Sequence, residues 1–213
     1  MTSPSTPPIF FLLAGPNGAG KSTLYAASVA EGLIPSEAEF VNADLYEAAN
    51  LQHMVDPSAR SQEARRWADE RRAWLLKTGE TFVSETVFSH HSKLDLIASA
   101  QAAGFKVVLL VVSVNDPAQL PERVAQRVLE GGHPVPPERV LSRYPRTMAN
   151  LAQAVAMADL ALLYDTSGKG RQGVSPHRLV ARSRAGKVQS VVKRLPAWTK
   201  TLIANMPGGQ STH

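Results

Sequence analysis

The segment Gly15-Pro-Asn-Gly-Ala-Gly-Lys-Ser22 restricts the possible folds more than any other stretch of the chain. It meets the spacing G-x-x-x-x-G-K-[ST], directly follows the apolar run Ile9 to Ala14, and leads into a helical pattern from Ser22 to Ala30. A strand, a glycine-rich turn and a helix in that order build an anion cradle. The glycines let successive backbone N–H groups turn inward, and the helix N-terminus adds partial positive charge. Residues Gly15, Pro16, Asn17, Gly18, Ala19, Gly20, Lys21, Ser22 and Thr23 are therefore expected around the phosphates of ATP. Lys21 would reach the β- and γ-phosphates and the Ser22 hydroxyl would hold Mg²⁺.

The rest of the chain alternates short apolar runs with longer amphipathic stretches, the pattern of βαβ units. Strands are expected at Ile9 to Ala14, Phe40 to Asp44, Thr81 to Glu85, Phe105 to Val114 and Leu160 to Tyr164, the fourth being apolar throughout and hence central. Helices are expected at Pro57 to Lys77, Ser92 to Ala103, Pro121 to Glu130 and Pro137 to Ala158, with a kink or break near Tyr144 caused by Pro145. Ser89 or Ser92 would cap the second of these. Past residue 165, a hairpin across Ala185-Gly186 and a short helix at Val188 to Leu195 are expected. The predicted fold class is α/β: a P-loop NTPase with a mostly parallel five-stranded sheet, helices on both faces and a helical lid. Residues 1–8 would be a disordered tail, 9–165 the nucleotide-binding domain, and 166–213 a basic extension packed on it.

The chain has 213 residues and no cysteine, which excludes a disulfide framework, a thiolate metal site and a cysteine nucleophile. No apolar run approaches the ~20 residues needed to cross a bilayer. The first eight residues lack the positive region of a signal peptide, so a cytoplasmic location and no membrane partner are expected. The net charge of +5 hides an asymmetry. All of the acidic residues lie at or before Asp165, whereas nine Lys or Arg follow it, so the motif-bearing body is acidic and the tail carries the basic excess. With that distribution the net charge no longer argues for nucleic acid as the substrate, and nucleic acid is not the expected partner.

Ligands of open α/β sheets collect at the carboxyl ends of the strands. Asp44 and Glu85 are expected there, facing Lys21 and Ser22. A kinase needs one carboxylate to orient an acceptor hydroxyl and take its proton, and a second polar group to hold the acceptor. The central strand offers no acid before Asp116, which weighs against a motor-type ATPase. Arg123 and Arg127 precede the Gly131-Gly132 joint, and Arg139, Arg143 and Arg146 follow it, each set on one helical face. This is the layout of a lid that neutralises transferring phosphate, and Arg127 and Arg143 are the favoured members. The five arginines from Arg60 to Arg72 interleave with acids and read as a solvated face, with an anionic-substrate role as the alternative. His90 and His91 have no partners at metal spacing.

In the ordered combination of Gly15 to Thr23, Val41-Asn-Ala-Asp-Leu-Tyr46, Glu85-Thr-Val-Phe-Ser89 and the arginine-rich stretch Arg123 to Arg146, the chain resembles the zeta toxin family of P-loop kinases over about residues 9 to 165. The resemblance implies an enzyme, a phosphotransferase with an alcohol group as acceptor. It would use ATP and Mg²⁺ to phosphorylate a nucleotide-sugar-like small molecule and would be restrained by an antitoxin protein. It assigns Asp44 as the base and Glu85 as an acceptor-binding residue, with Asn42, Tyr46 and Thr86 in the same substrate-binding segments. The sequence departs from the larger toxins at the second lid arginine, which falls nearest His133; Arg143 would take its place. Two other readings stay open, a nucleotide-dependent binding or regulatory protein and a polynucleotide kinase that uses the basic tail.

Overall fold

A computed structural model describes residues 6–129, 135–168 and 176–208. Strand β1 (Ile9–Ala14) runs between β3 (Phe82–Thr86) and β4 (Lys106–Ser113) and is parallel to both. Strands β2 (Glu39–Val41) and β5 (Leu160–Asp165) extend the parallel set on either side, pairing with β3 and β4. The predicted five strands are thus present, but the sheet does not stop there. β6 (Arg178–Arg184) pairs antiparallel with β5, and β7 (Lys187–Ser190) pairs antiparallel with β6 across the Ala185-Gly186 turn. The sheet has seven strands in the order β2-β3-β1-β4-β5-β6-β7.

Both faces of the central strands are buried, which is why they read as continuous apolar runs. Phe10, Leu12 and Ala14 point into one core with Phe82, Leu109, Val111 and Leu163; Phe11 and Leu13 point into the other with Val83, Leu110 and Val112. The first core is closed by α3 (Pro57–Thr78), α4 (Leu94–Ala102), α6 (Pro137–Met157) and α7 (Ala197–Ala204), and Phe10 and Phe82 stack there at 4.5 Å. The second is closed by α1 (Lys21–Ala30) and α5 (Leu120–Leu129). Helix α6 joins the two, with Val140 packed in the second core and Leu151, Ala154 and Val155 in the first. That crossing carries its N-terminal turns over the carboxyl ends of the strands.

Four local expectations are corrected. The second strand ends at Val41, and Asp44 lies instead in the first turn of α2 (Ala43–Asn50), because the Asn42 side chain caps that helix by accepting from the Asp44 and Leu45 N–H groups. The cap before α4 is His90, whose ring accepts from the Ser92 N–H at the head of a 3₁₀ turn over His91–Lys93. Helix α6 continues through Pro145, since Pro145 and Leu141 are both exposed and water can satisfy the Leu141 carbonyl that proline leaves without a donor. Residues 188–195 are strand and irregular chain; the last helix begins at Ala197, where Trp198 and Leu202 enter the first core. The Gly131-Gly132 joint, His133 and residues 1–5 lie outside the described residues.

Candidate functional site

The loop from Gly15 to Gly20 takes a conformation that only small residues allow. At Gly15 a β-carbon would stand 2.2 Å from the Val112 carbonyl oxygen. At Gly18, where φ is +80°, it would stand 2.6 Å from the Leu120 oxygen. Gly20, in the left-handed region, heads α1, and no side chain caps that helix's first N–H groups. Thr166, just past β5, donates its hydroxyl to the Ala19 carbonyl at 3.0 Å, and Arg123 donates to the Thr166 carbonyl at 2.9 Å. His177 lies 3.0 Å from the Gly20 carbonyl through Nε2. Arg123 is therefore tied to the support of the loop and is not among the cleft-lining arginines expected of a lid.

Lys21 is 6% exposed, and its ammonium donates to the Gly15 and Pro16 carbonyls at 3.1 and 3.3 Å. Glu85 Oε1 lies 3.6 Å away. Burial pulls the Lys21 pKa below the ordinary lysine value; Glu85 opposes this, Arg127 adds to it and Asp44 opposes it. Asn42 donates to the other Glu85 oxygen at 3.2 Å, so one side chain both caps α2 and holds the carboxylate at the end of β3. The Ser22 and Thr23 side chains are exposed at the open end of α1.

Beside this loop opens a cleft of about 520 Å³. Asn17, Asn42, Asp44, Glu85, Thr86, Arg127 and Arg143 all line it, so both candidate carboxylates and both favoured lid arginines border one space. Tyr46 does not. It stacks on Trp67 at 3.9 Å with the rings 7° apart, fastening α2 to α3. Glu47 completes that brace, accepting from Arg60 at 3.2 Å and Ser61 at 3.0 Å.

A family model described as an AAA domain matches residues 10–151, about two thirds of the chain. The chain belongs to this AAA domain family. A comparison with curated proteins found no match. Among solved structures, the AvrRxo1-ORF1:AvrRxo1-ORF2 complex with sulphate ions is similar over 88% of this chain and 62% of that one, at 21% identity and a TM-score of 0.66. The same pair solved with ATP gives 21% identity, 88% and 61% coverage and a TM-score of 0.66. The PezAT toxin-antitoxin system of Streptococcus pneumoniae matches at 17% identity over 76% of this chain and 68% of that one, with a TM-score of 0.53. The chain spans about three fifths of the length of the chains it matches in these complexes.

In this AAA domain, three further cations line the cleft that were not counted as site residues from the sequence: Arg65 and Arg72 on α3, and Lys93 in the 3₁₀ turn; Arg139, grouped with the lid arginines, lines it as well. The solvated-face reading of Arg60 to Arg72 holds for Arg66, which pairs with Glu63 and Glu70. It fails for Arg72, which is 8% exposed, donates to Ser84 at 3.2 Å and pairs with Asp69. The available signal was spacing: residues 65, 69 and 72 follow i, i+4, i+7, one stripe of a helix. Burial lowers the Lys93 pKa, and the neighbouring Arg72 and Arg65 push the same way against Asp69. Burial also lowers Arg143, with Arg139, Arg146 and Arg65 adding to the shift. Among the described residues no cluster of His, Asp and Glu has the makings of a metal site, and no helix is long and apolar enough to cross a membrane.

Proposed function

We propose that this protein is an ATP- and Mg²⁺-dependent kinase that transfers the γ-phosphate to a hydroxyl of a small molecule, of the nucleotide-sugar kind that the zeta toxin resemblance implies. The observation that carries the reading is the placement of Asp44 in the same cleft as Glu85, Arg127 and Arg143, next to the loop that buries Lys21. Likeness to an AvrRxo1-ORF1:-ORF2 structure solved with ATP supports the choice of nucleotide.

The uncapped N-terminus of α1 and the Gly15–Gly20 amides suit the β- and γ-phosphates, and Lys21 lies close enough to exchange its carbonyl partners for phosphate oxygens. The exposed Ser22 hydroxyl, with phosphate oxygens, fits a Mg²⁺ ion, which keeps several waters and needs few protein ligands. Bound there, the ion would neutralise charge between the β- and γ-phosphates. Asp44 is exposed to the cleft, where its carboxylate orients the acceptor hydroxyl. As the acceptor oxygen bonds to the γ-phosphorus, the bond to the bridging oxygen breaks, ADP departs, and the hydroxyl proton passes to Asp44. Glu85, held by Asn42 and Lys21, positions the acceptor. Arg127 and Arg143 stabilise the transferring group, a role worth roughly 10³ to 10⁵ in rate when an arginine finger supplies it.

Purified protein is to be incubated with labelled ATP and a panel of UDP-sugars, nucleosides and dinucleotides. Asp44→Ala is expected to bind ATP normally and lose transfer, whereas Lys21→Ala loses transfer and weakens nucleotide binding. Equal transfer by Asp44→Ala and wild type would refute the base assignment. The basic residues of the β6–β7 hairpin lie at the opposite edge of the sheet and contribute nothing to the cleft lining, which speaks against the tail-dependent polynucleotide kinase. The resemblance and the likeness to the PezAT toxin-antitoxin system support an antitoxin-type partner, and a proteinaceous inhibitor that binds the purified chain and stops transfer would test it.

A further inference from the structure

Three of the cations that follow Asp165 share one face of the β6–β7 hairpin, far from the nucleotide cleft. Pairing sets Leu160 beside Arg184 and Leu162 beside Arg182, and these arginines in turn beside Lys187 and Gln189. Residues directly paired across a sheet stand on the same face. Arg182, Arg184 and Lys187 therefore continue the face on which Leu160 and Tyr164 border the second core. Helices α1 and α5 close that core over the middle of the sheet. At the β7 end Arg182, Arg184, Lys187 and Gln189 are exposed, with no helix of the described residues over them. The other face of the same hairpin is sealed, with Val180 and Ala181 in the first core beside Trp198.

This bare face is apolar along β5 and basic along the hairpin. Leu160, Leu162, Tyr164 and, opposite Tyr164, Leu179 are half-buried. Beside them, none of Arg182, Arg184 and Lys187 has a carboxylate within 4.0 Å among the described residues. Glu31, just past α1, acts on Tyr164 across the apolar strip and pairs with none of the three. Arg182 donates its Nε to Gln189 at 2.8 Å, which steers the guanidinium across the hairpin and leaves its terminal nitrogens for a carboxylate. The dimensions suit one helix. Two inter-strand spacings from β5 to β7 make ~10 Å, about the diameter of a helix. The six residues of β5 run for ~20 Å, the length of about 13 helical residues.

We propose that the α1-side face of β5, β6 and β7 is the docking surface for an acidic amphipathic helix of a partner protein. Its apolar stripe would lie on Leu160, Leu162 and Tyr164, and its Asp or Glu flank would meet Arg182, Arg184 and Lys187. Sheet faces in α/β folds are covered by helices, and here the partner supplies the one that this chain lacks. Charge complementarity selects an acidic flank. A second copy of the same face would set like charges against each other in an isologous pair. Single-stranded nucleic acid is matched less well, because it binds through stacked bases and the aromatic on this strip, Tyr164, is half-buried. The footprint is at the small end of specific interfaces, so micromolar affinity is expected.

The full chain is titrated into a fluorescein-labelled synthetic helical peptide with leucines along one face and glutamates along the flank, and anisotropy is read. Saturable binding is expected, weakened about tenfold or more in the Arg182→Gln/Arg184→Gln/Lys187→Gln triple variant, at least the loss of one charge-assisted hydrogen bond. Leu162→Glu should weaken it comparably by placing a charge on the apolar strip. The triple lysine-for-arginine counterpart, Arg182→Lys/Arg184→Lys with Lys187 kept, should stay within about threefold of wild type, because the charges remain. The same peptide with lysines in place of glutamates should not bind. Unchanged affinity for an ATP analogue shows that each variant is folded, since these residues stand outside the nucleotide site. Absence of saturable binding by the acidic peptide overturns the proposal, as does equal binding by the triple variant. A single-stranded oligonucleotide or a phosphatidylserine vesicle that binds more tightly than the peptide, and loses that binding in the triple variant, also overturns it by making the face a nucleic-acid or membrane surface.

Discussion

Trp198 is one of the residues that join the basic tail to the nucleotide-binding body. It is 3% exposed, packs in the first core, and donates its indole N–H to the Asp165 carboxylate at the end of β5, at 2.9 Å. Ser167 donates to the same carboxylate oxygen, and Arg178 stands 3.6 Å from the other. Trp198→Phe keeps an aromatic ring in place and removes the donor. A hydrogen bond to a charged group contributes about 1.5–3 kcal/mol. The smaller ring leaves a void of roughly 40 Å³, and at about 24 cal/mol per Å³ this adds about 1 kcal/mol. The expected loss is therefore about 2.5–4 kcal/mol, and with a urea slope of about 2 kcal/mol per molar the midpoint falls by about 1–2 M. Urea titration followed by far-UV circular dichroism measures it. Asp165→Asn and the double variant complete a cycle, in which a coupling of at least about 1 kcal/mol is expected between residues in direct contact. A midpoint shift below about 0.3 M, or two transitions in the wild type, would refute the proposal that residues 176–208 fold as one unit with the body.

Asn42→Ala removes the cap of α2 and frees Glu85; a stability loss of about 1 kcal/mol is expected from the cap, together with a fall in transfer that Asn42→Asp does not rescue, because an acid cannot donate to Glu85. Thermal melts and the labelled-ATP assay check the two effects separately. Gly18→Ala should abolish nucleotide binding, since its β-carbon meets the Leu120 oxygen at 2.6 Å in a left-handed backbone, and a fluorescent ATP analogue reports it. Lys21 sets a pH dependence. Its folded pKa lies below the ordinary 10.5, so between the two values the unfolded chain binds more protons and stability rises with pH. Below the folded value both states are protonated and the burial penalty is fully present. The stability of wild type relative to Lys21→Met is thus expected to improve as the pH rises toward 10.5, and a constant difference across that rise contradicts the burial reading.

Much of the architecture was legible because burial on both sheet faces leaves a plain mark. Ile9 to Ala14 and Val107 to Val112 are apolar at every position, and both are central strands. The strand-to-loop-to-helix order around Gly15 to Ser22 likewise follows from local chemistry. Asp44 was harder to place. Phe40 to Asp44 has strand composition, and the Asn42 cap that turns the chain into α2 two residues early competes with it through a side-chain hydrogen bond that composition does not reveal. Pro145 misled for the opposite reason, since a proline breaks a helix only where the freed carbonyl has no water, and exposure at 141 and 145 is a tertiary property. The hairpin at Ala185-Gly186 was legible, whereas its pairing with β5 as two further strands of the main sheet was not, because β6 and β7 carry arginines and lysine on their open face.

The cleft shows why sequence alone divides acids from bases unevenly. A carboxylate near a strand end is visible because strand ends are visible, so Asp44 and Glu85 stood out. Cations on α3 carry no such marker. Arg66 and Arg65 are neighbours in sequence with identical composition around them, yet Arg66 turns to Glu63 and Glu70 in solvent while Arg65 turns to the cleft shared with Lys93 and Arg143. What separates them is 100° of helix rotation relative to a core that is set by Ala64, Ala68 and Leu75. Those residues are the readable signal: once the apolar stripe on α3 is placed against the sheet, the flank at 65, 69 and 72 must border whatever opens beside it. Which cations border the cleft is thus written less in the arginines themselves than in the small apolar residues that decide which way each one faces.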